Sequence, residues 1–242
     1  MKIAIVGAAG RMGQKLCALA AGTELEVVSK VDVAEGYDKT WSEDVEGVID
    51  FSYHTAVPPS VTRAAEAGIP YVIGTTGLTA DEQKAVDAAA GKIPVVQSGN
   101  YSLGVNLLLE LVKKAATVLG PEYDVEITEM HHRHKKDAPS GTALMLAKSA
   151  AMGRGVTDDF TYGRKGDIGE RPVGEIAIHA LRGGSVVGDH TVMFAGELER
   201  VELTHKAQDR AAFAAGALKA LAWAKGKKAG VYSMRDVLGF AG

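Results

Sequence analysis

The stretch Glu129-Met130-His131-His132-Arg133-His134-Lys135-Lys136-Asp137-Ala138-Pro139-Ser140-Gly141-Thr142 gathers side chains that move protons and hold anions. The imidazoles of His131 and His132 exchange protons near neutral pH, and Lys135 is a compact positive charge. Ser140-Gly141-Thr142 runs straight into Ala143-Leu144-Met145-Leu146-Ala147, the pattern of a helix capped by Ser140. Backbone N–H groups at such a helix start, here those of Gly141 and Thr142, take carboxylate oxygens. Pro139 restricts the preceding turn, and Asp137 is placed to orient Lys135 or to limit the positive charge of the loop. Read together, these residues form a catalytic centre for an anionic substrate. The other reading is a solvated basic loop ahead of an ordinary capped helix. Arg133, His134 and Lys136 add a general attractive field. Nucleic acid is disfavoured because no extended basic face with interleaved aromatics accompanies the cluster. A metal site is disfavoured too, since histidine spacing alone is insufficient and no cysteine lies nearby.

A second chemical element opens the chain. Gly7-Ala8-Ala9-Gly10-Arg11-Met12-Gly13 directly follows an apolar run and begins a helical stretch, the context in which a glycine loop receives a pyrophosphate. Its spacing departs from the common G-x-G-x-x-G, so an ordinary strand–helix turn stays open as an alternative. Asp32 ends the next strand, where a carboxylate accepts hydrogen bonds from an adenine-ribose diol and opposes a 2′-phosphate. That placement predicts NADH preference with possible NADPH use, Arg11 and Lys30 being the nearby cations; a solvated strand-end carboxylate is the simpler alternative. Gly74-Thr75-Thr76 and Ser98-Gly99-Asn100-Tyr101 each follow a strand and fall at the carboxyl edge where ligands bind. His54, in Phe51-Ser52-Tyr53-His54 at another such edge, receives no assignment.

The elements that must position these residues follow from periodicity. Short branched-apolar runs at 3–6, 26–31, 48–51, 71–73 and 94–96 alternate with helical stretches at 12–21, 60–67 and 79–90, the last opening on a Thr79–Glu82 capping box. This is the grammar of a doubly wound parallel sheet, Rossmann-like. After Tyr101 it changes to a long helix at 103–119, a strand at 124–130, the histidine loop and a helix at 142–152. Runs at 175–181, 185–194 and 199–205 read as adjacent strands joined by turns, giving a second α+β domain on a mixed, largely antiparallel sheet. Residues 154–172 form a long polar loop, either a lid or a passive connector. A helix at 209–225 and a short one at 233–238 complete the pattern. The expected divisions are 1–102 for dinucleotide binding, 103–212 for substrate binding and oligomerisation, and 213–242 as a C-terminal segment.

With 46% hydrophobic and 24% charged residues, 242 residues suffice for one or two ordinary cores. A formal charge of −3 argues against general affinity for nucleic acid or acidic membranes. Cys17 is the sole cysteine, so no internal disulfide forms, and its place among Leu16, Ala18 and Leu19 makes it a packing residue. No leader fits before the first strand, and the apolar stretch at 103–111 is broken by Asn106 and Glu110; a cytoplasmic location is expected.

The histidine stretch and the glycine loop together resemble the dihydrodipicolinate reductase family, and the similarity covers nearly the whole chain. Further matching pieces are Gly74-Thr75-Thr76-Gly77, Gly99-Asn100-Tyr101-Ser102, Gly188-Asp189-His190 with Phe194-Ala195-Gly196-Glu197, and Glu202-Leu203-Thr204-His205. The G-x-x-G-x-x-G spacing agrees with that family. The resemblance implies NADH- or NADPH-dependent reduction of 4-hydroxy-tetrahydrodipicolinate, a cyclic dicarboxylate, to tetrahydrodipicolinate in the diaminopimelate route to lysine. It implies His131 as acid/base, Lys135 as its partner in proton donation and anion stabilisation, and His132, Ser140, Gly141 and Thr142 as substrate contacts. Cofactor contacts would come from 7–12, Asp32, 74–76 and 98–101. It further implies that the C-terminal segment returns to the nucleotide domain, and it implies a homotetramer. A fold does not choose a substrate, so another small imine or amino-acid reductase is the rival, with a catalytically silent nicotinamide sensor behind it.

Overall fold

A computed structural model describes residues 1–240. In chain order the elements are β1 (Lys2–Val6), α1 (Arg11–Ala20), β2 (Glu26–Val31), β3 (Gly47–Asp50), α2 (Val57–Ala67), β4 (Tyr71–Ile73), α3 (Ala80–Ala90) and β5 (Pro94–Gln97). They continue with α4 (Leu103–Leu119), β6 (Asp124–His131), α5 (Gly141–Arg154), β7 (Thr161–Tyr162), β8 (Ile176–Arg182), β9 (Gly188–Ala195) and β10 (Arg200–Ala207). The chain closes with α6 (Ala211–Ala224), β11 (Gly230–Tyr232) and α7 (Met234–Val237). Two compact units result, one from Met1–Leu103 with the chain from Arg210 onward, the other from Gly104–Asp209.

The first unit is built on a six-stranded parallel sheet in the order β11-β5-β4-β3-β1-β2. Successive residues of β1 serve opposite faces: Ile3 and Ile5 pack with Leu16 and Leu221, whereas Ala4 and Val6 pack with Val61 and Val86. Helices α1 and α6 therefore cover one face and α2 and α3 the other, which is why the strands read as continuous apolar runs. Cys17 lies against the first of these cores, and burial pushes its thiol pKa up, as suits packing.

Two details differ from the periodicity reading. Helix α2 starts at Val57 rather than near residue 60, because Pro58 and Pro59 sit in its first turn, where a missing N–H leaves no bond unmade. Strand β11 is only three residues long and carries no period of its own; it is a strand because β5 offers it an edge. The Thr79–Glu82 capping box forms at the start of α3.

The second unit carries a mixed sheet in the order β10-β9-β6-β8-β7, with β6 parallel to β8 and antiparallel to β9. The strands at 176–182 and 188–195 are thus not neighbours, contrary to the turn-based expectation, since β6 lies between them. The connection 183–187 passes around the end of β6, held by His132 N–H to Val186 O at 2.8 Å and Gly183 N–H to His131 O at 2.9 Å. Those bonds occupy the residues read as the start of a 185–194 strand, so β9 begins only at Gly188. Helices α4 and α5 pack on one face of the sheet, around Val125, Ile127, Ile178, Val192 and Phe194. Among the described residues no helix is long and apolar enough to cross a membrane.

Candidate active site

In the first unit the glycine loop is shaped by backbone bonds to β2. The N–H groups of Gly7 and Ala8 both reach Val31 O, at 2.9 and 3.1 Å, and Ala9 N–H reaches Asp32 Oδ2 at 3.0 Å. Gly7 sits at φ +81°, and a Cβ there would lie 2.4 Å from Phe51 O, so only glycine lets the loop fold this tightly against β3. Helix α1 begins after Gly10 without a side-chain cap, which presents its first-turn donors, at Arg11 and Met12, to an anion. A cavity of about 750 Å³ is walled by Gly7, Ala9, Gly10, Asp32, Trp41 and Arg63 among others. These features fit a dinucleotide: an uncapped helix start for the pyrophosphate and, on the cavity wall, a carboxylate for a ribose.

The Asp32 carboxylate also accepts from Ala34 N–H at 3.1 Å, so it shapes the turn after β2 as well as facing the cavity. Lys39 Nζ donates to the carbonyls of Val33 and Ala34 at 2.9 and 3.0 Å. Arg63 donates to Trp41 O at 2.6 Å and stacks over its indole ring. Trp41, Tyr53 and Arg63 are wall residues that sequence reasoning did not assign, because they come from two separate loops and from α2 with no motif joining them.

The expected cofactor residues Gly74, Thr75 and Thr76 follow β4, and Ser98, Gly99, Asn100 and Tyr101 follow β5, all outside that cavity wall. Fully buried Asp50 organises this edge: Thr75 Oγ1 and Ser52 N–H donate to its Oδ1 at 2.9 Å, and Tyr71 Oη to its Oδ2 at 2.5 Å. Burial and the neighbouring carboxylate push the Tyr71 phenol well above its usual pKa, keeping it a donor. Gly74 N–H binds Asp50 O at 2.8 Å, while Thr76 and Gly99 are exposed. Ser98 Oγ donates to Asn100 O at 2.8 Å. Tyr101 is buried, its hydroxyl bridging Ile73 O and Val96 O and its carbonyl packed against Gly216 of α6, so it braces β4 and β5 and is not open to a ligand. His54 pairs with Glu82 at 2.8 Å, joining the segment after β3 to α3.

In the second unit the alternation of β6 brings the histidine site together. Val125 and Ile127 point into the apolar core, and the next two inward positions are Glu129 and His131. The buried face thus turns polar at the carboxyl end of the strand. His131 Nδ1 lies 2.6 Å from Glu129 Oε2, and Arg182 spans both Glu129 oxygens at 2.8 and 2.9 Å. Ser140 N–H donates to Glu129 Oε1 at 3.0 Å, and Ser140 Oγ accepts from Ala143 N–H at 3.2 Å, capping α5. His190, from β9, lies 3.0 Å from Ser140 Oγ and edge-on to the His131 ring at 5.1 Å. Burial, with the neighbouring His131, lowers the His190 pKa from the ordinary 6.5 to about 4. Lys135 Nζ pairs with Asp137 at 2.8 and 2.9 Å, so Asp137 orients it. Arg133, His134 and Lys136 are exposed, Gly141 and Thr142 form the first turn of α5, and His132 is half-buried beside them in sequence.

Glu129, Arg182 and His190 were not singled out as site residues in sequence. The period-two pattern of β6 already placed Glu129 on the face of His131, but nothing local pointed to Arg182 on β8.

A Rossmann-like unit with a glycine loop at a helix start, followed by a mixed-sheet unit with a histidine- and lysine-bearing loop, is the layout of a nicotinamide-dependent oxidoreductase. The profile described as dihydrodipicolinate reductase, N-terminus, matches residues 1–101, and that described as dihydrodipicolinate reductase, C-terminus, matches residues 104–238. The chain belongs to the dihydrodipicolinate reductase family. It is 46% identical over 266 residues to a 4-hydroxy-tetrahydrodipicolinate reductase of Rhodopseudomonas palustris (strain HaA2), covering 100% of this chain and 98% of that one. A protein of the same name from Anaeromyxobacter dehalogenans (strain 2CP-C) is 46% identical over 271 residues, with the same coverage. The fold is that of a dipicolinate-bound dihydrodipicolinate reductase from Paenisporosarcina sp. TG-14, with a TM-score of 0.78 at 23% identity over 98% of each chain.

Proposed function

We propose that this chain reduces 4-hydroxy-tetrahydrodipicolinate to tetrahydrodipicolinate with NAD(P)H, releasing water, in the diaminopimelate route to lysine. The observation that supports this is the polar end of β6, where buried Glu129 binds both His131 and the capped start of α5, with Lys135 four residues beyond His131 and paired to Asp137. When bound, the nicotinamide supplies a hydride. The protein's own residues supply the proton and hold the carboxylates. His131 donates the proton to the substrate atom that is the double-bond partner of the carbon receiving hydride, and Lys135 offsets the substrate's negative charge and assists that donation. His132 binds one carboxylate, while Ser140, Gly141 and Thr142 present the α5 start to the other. On the nucleotide side, residues 7–12 receive the pyrophosphate, Asp32 the adenine ribose, and the edges at 74–76 and 98–100 frame the nicotinamide.

Asp32 on the cavity wall favours NADH, because Lys39 is already engaged with backbone carbonyls and the residue after Asp32 is the exposed aliphatic Val33. Oligomerisation belongs to the second unit, whose sheet carries both helices on one face and shows Thr128, Met130, Thr191 and Met193 on the other; a homotetramer is the assembly proposed. A cytoplasmic location accords with a biosynthetic reductase bearing a lone free cysteine.

The test is to supply substrate generated freshly by the preceding synthase, follow nicotinamide absorbance and identify the product. Oxidation of the cofactor with formation of tetrahydrodipicolinate is expected, and His131→Ala or Lys135→Ala should lower turnover by about 10²–10⁴-fold with cofactor binding retained. Cofactor binding without turnover in the native protein would refute the reaction.

A further inference from the structure

We propose that Glu129 is a positioning residue: its buried carboxylate holds His131 as the Nδ1–H form, leaving Nε2 as the atom that exchanges the proton. The proposal deepens the reading of His131 as the acid and rests on it.

Glu129 has no solvent exposure, and a carboxylate removed from water persists only where donors replace its hydration. Three of its hydrogen bonds come from groups that donate at any ordinary pH: the two Arg182 nitrogens and Ser140 N–H. Burial pushes the Glu129 carboxyl pKa up, but Arg182, His131 and Ser140 N–H together outweigh it and hold the group below the usual carboxylate range. The carboxylate is therefore an acceptor only, so the 2.6 Å contact with His131 Nδ1 requires the hydrogen on that nitrogen. A carboxylate behind an imidazole fixes ring orientation and tautomer and stabilises the imidazolium, as in hydrolytic triads.

The surroundings of the ring support this assignment. Gly188 on β9 faces the other nitrogen: a Cβ there would lie 2.9 Å from His131 Nε2, so glycine keeps that atom clear of a methyl group. The groups facing His131 are Glu129 on its own strand, Arg182 on β8, His190 on β9 and Ser140 at the start of α5. Ser140 Oγ accepts from Ala143 N–H and lies 3.0 Å from His190 Nε2. Burial favours the neutral form of His190, so it does not compete for the proton of His131. Glu129 thus secures both the imidazole and, through Ser140 N–H, the helix start expected to bind carboxylate.

Long-range proton–nitrogen NMR on the native protein, at a pH where His131 is neutral, reads the tautomer directly. The Nδ1–H form is expected, and an Nε2–H form overturns the proposal. In Glu129→Gln the amide N–H₂ must face either His131 Nδ1, which can become an acceptor, or Ser140 N–H, which cannot, so the expected results are loss of the pure Nδ1–H form and a fall in kcat of about 10²–10⁴-fold. Cofactor Kd should not change. An unaltered tautomer with native kcat in that variant also overturns the proposal, and the native spectrum decides alone if the variant does not fold. Absence of turnover in the native protein would refute the reaction proposed above while leaving the tautomer result standing.

Discussion

Each cluster has a carboxylate that backbone bonds and neighbours hold in place: Glu129 under His131, Asp50 under the β3–β4 edge, Asp32 beside the glycine loop. Of these, Asp32 alone lies on the wall of the cavity of about 750 Å³, so the proposed NADH preference is tested there. Asp32→Asn keeps the size and one of the two backbone hydrogen bonds while removing the charge. It should raise the NADPH-to-NADH affinity ratio by about tenfold, since one charged hydrogen bond and one repulsion are removed. Titration calorimetry with both nucleotides checks this, and an unchanged ratio would mean that the carboxylate serves only Ala9 and Ala34. In sequence, Asp32 and His131 were legible because each ends a strand at a motif. Arg182 was not, because its partner Glu129 is 53 residues away and becomes a neighbour only through the β6–β8 ladder.

The segment at 154–172, a lid or a connector in sequence terms, is anchored within the second unit at the level of the element. It contributes β7, which pairs with β8, and its Arg164 and Arg171 bind Glu126 at 2.8 and 2.9 Å. His179 Nε2 completes the set at 2.6 Å. Burial would raise the Glu126 pKa, but Arg164, His179 and Arg171 lower it from 4.5 to about 2. Because the folded value lies below the unfolded one, this stabilisation is complete above pH about 4.5 and lost as pH falls through about 2. Glu126→Gln should therefore cost about 1–3 kcal/mol at pH 7 and flatten the fall of Tm in that acid window. Thermal melts of both proteins between pH 7 and 2 measure it; parallel curves would show that Glu126 is not the acid-sensitive group. The loop was opaque to periodicity because its order comes from arginines reaching another strand. Helix α3, by contrast, was readable from the Thr79–Glu82 box, which is satisfied within four residues.

At the scale of the whole molecule, assembly is the open quantity. The second sheet bears helices on one face only, and the other shows Thr128, Met130, Thr191 and Met193 alongside the charged Glu126 and Glu202. Light scattering at micromolar concentration should give four times the 25.3 kDa of the chain. Thr191→Arg, placed centrally on that face, should lower the mass while leaving the first unit's nucleotide affinity intact. A monomeric native protein with full activity would end the idea that assembly is required.

Sequence by itself determined the layered order of strands and helices, the glycine loop, the histidine stretch and its α5 cap. Each is set by local period, by backbone freedom or by bonds within a few residues. Tertiary structure alone decided that β6 separates β8 from β9, that Pro94–Gln97 recruits a strand from Gly230–Tyr232, and that Arg182 and His190 enclose the Glu129–His131 pair. These depend on which strand edges and buried charges meet across long stretches of chain. Such pairings follow from burial and hydrogen-bond satisfaction over the whole unit, and no local pattern records them.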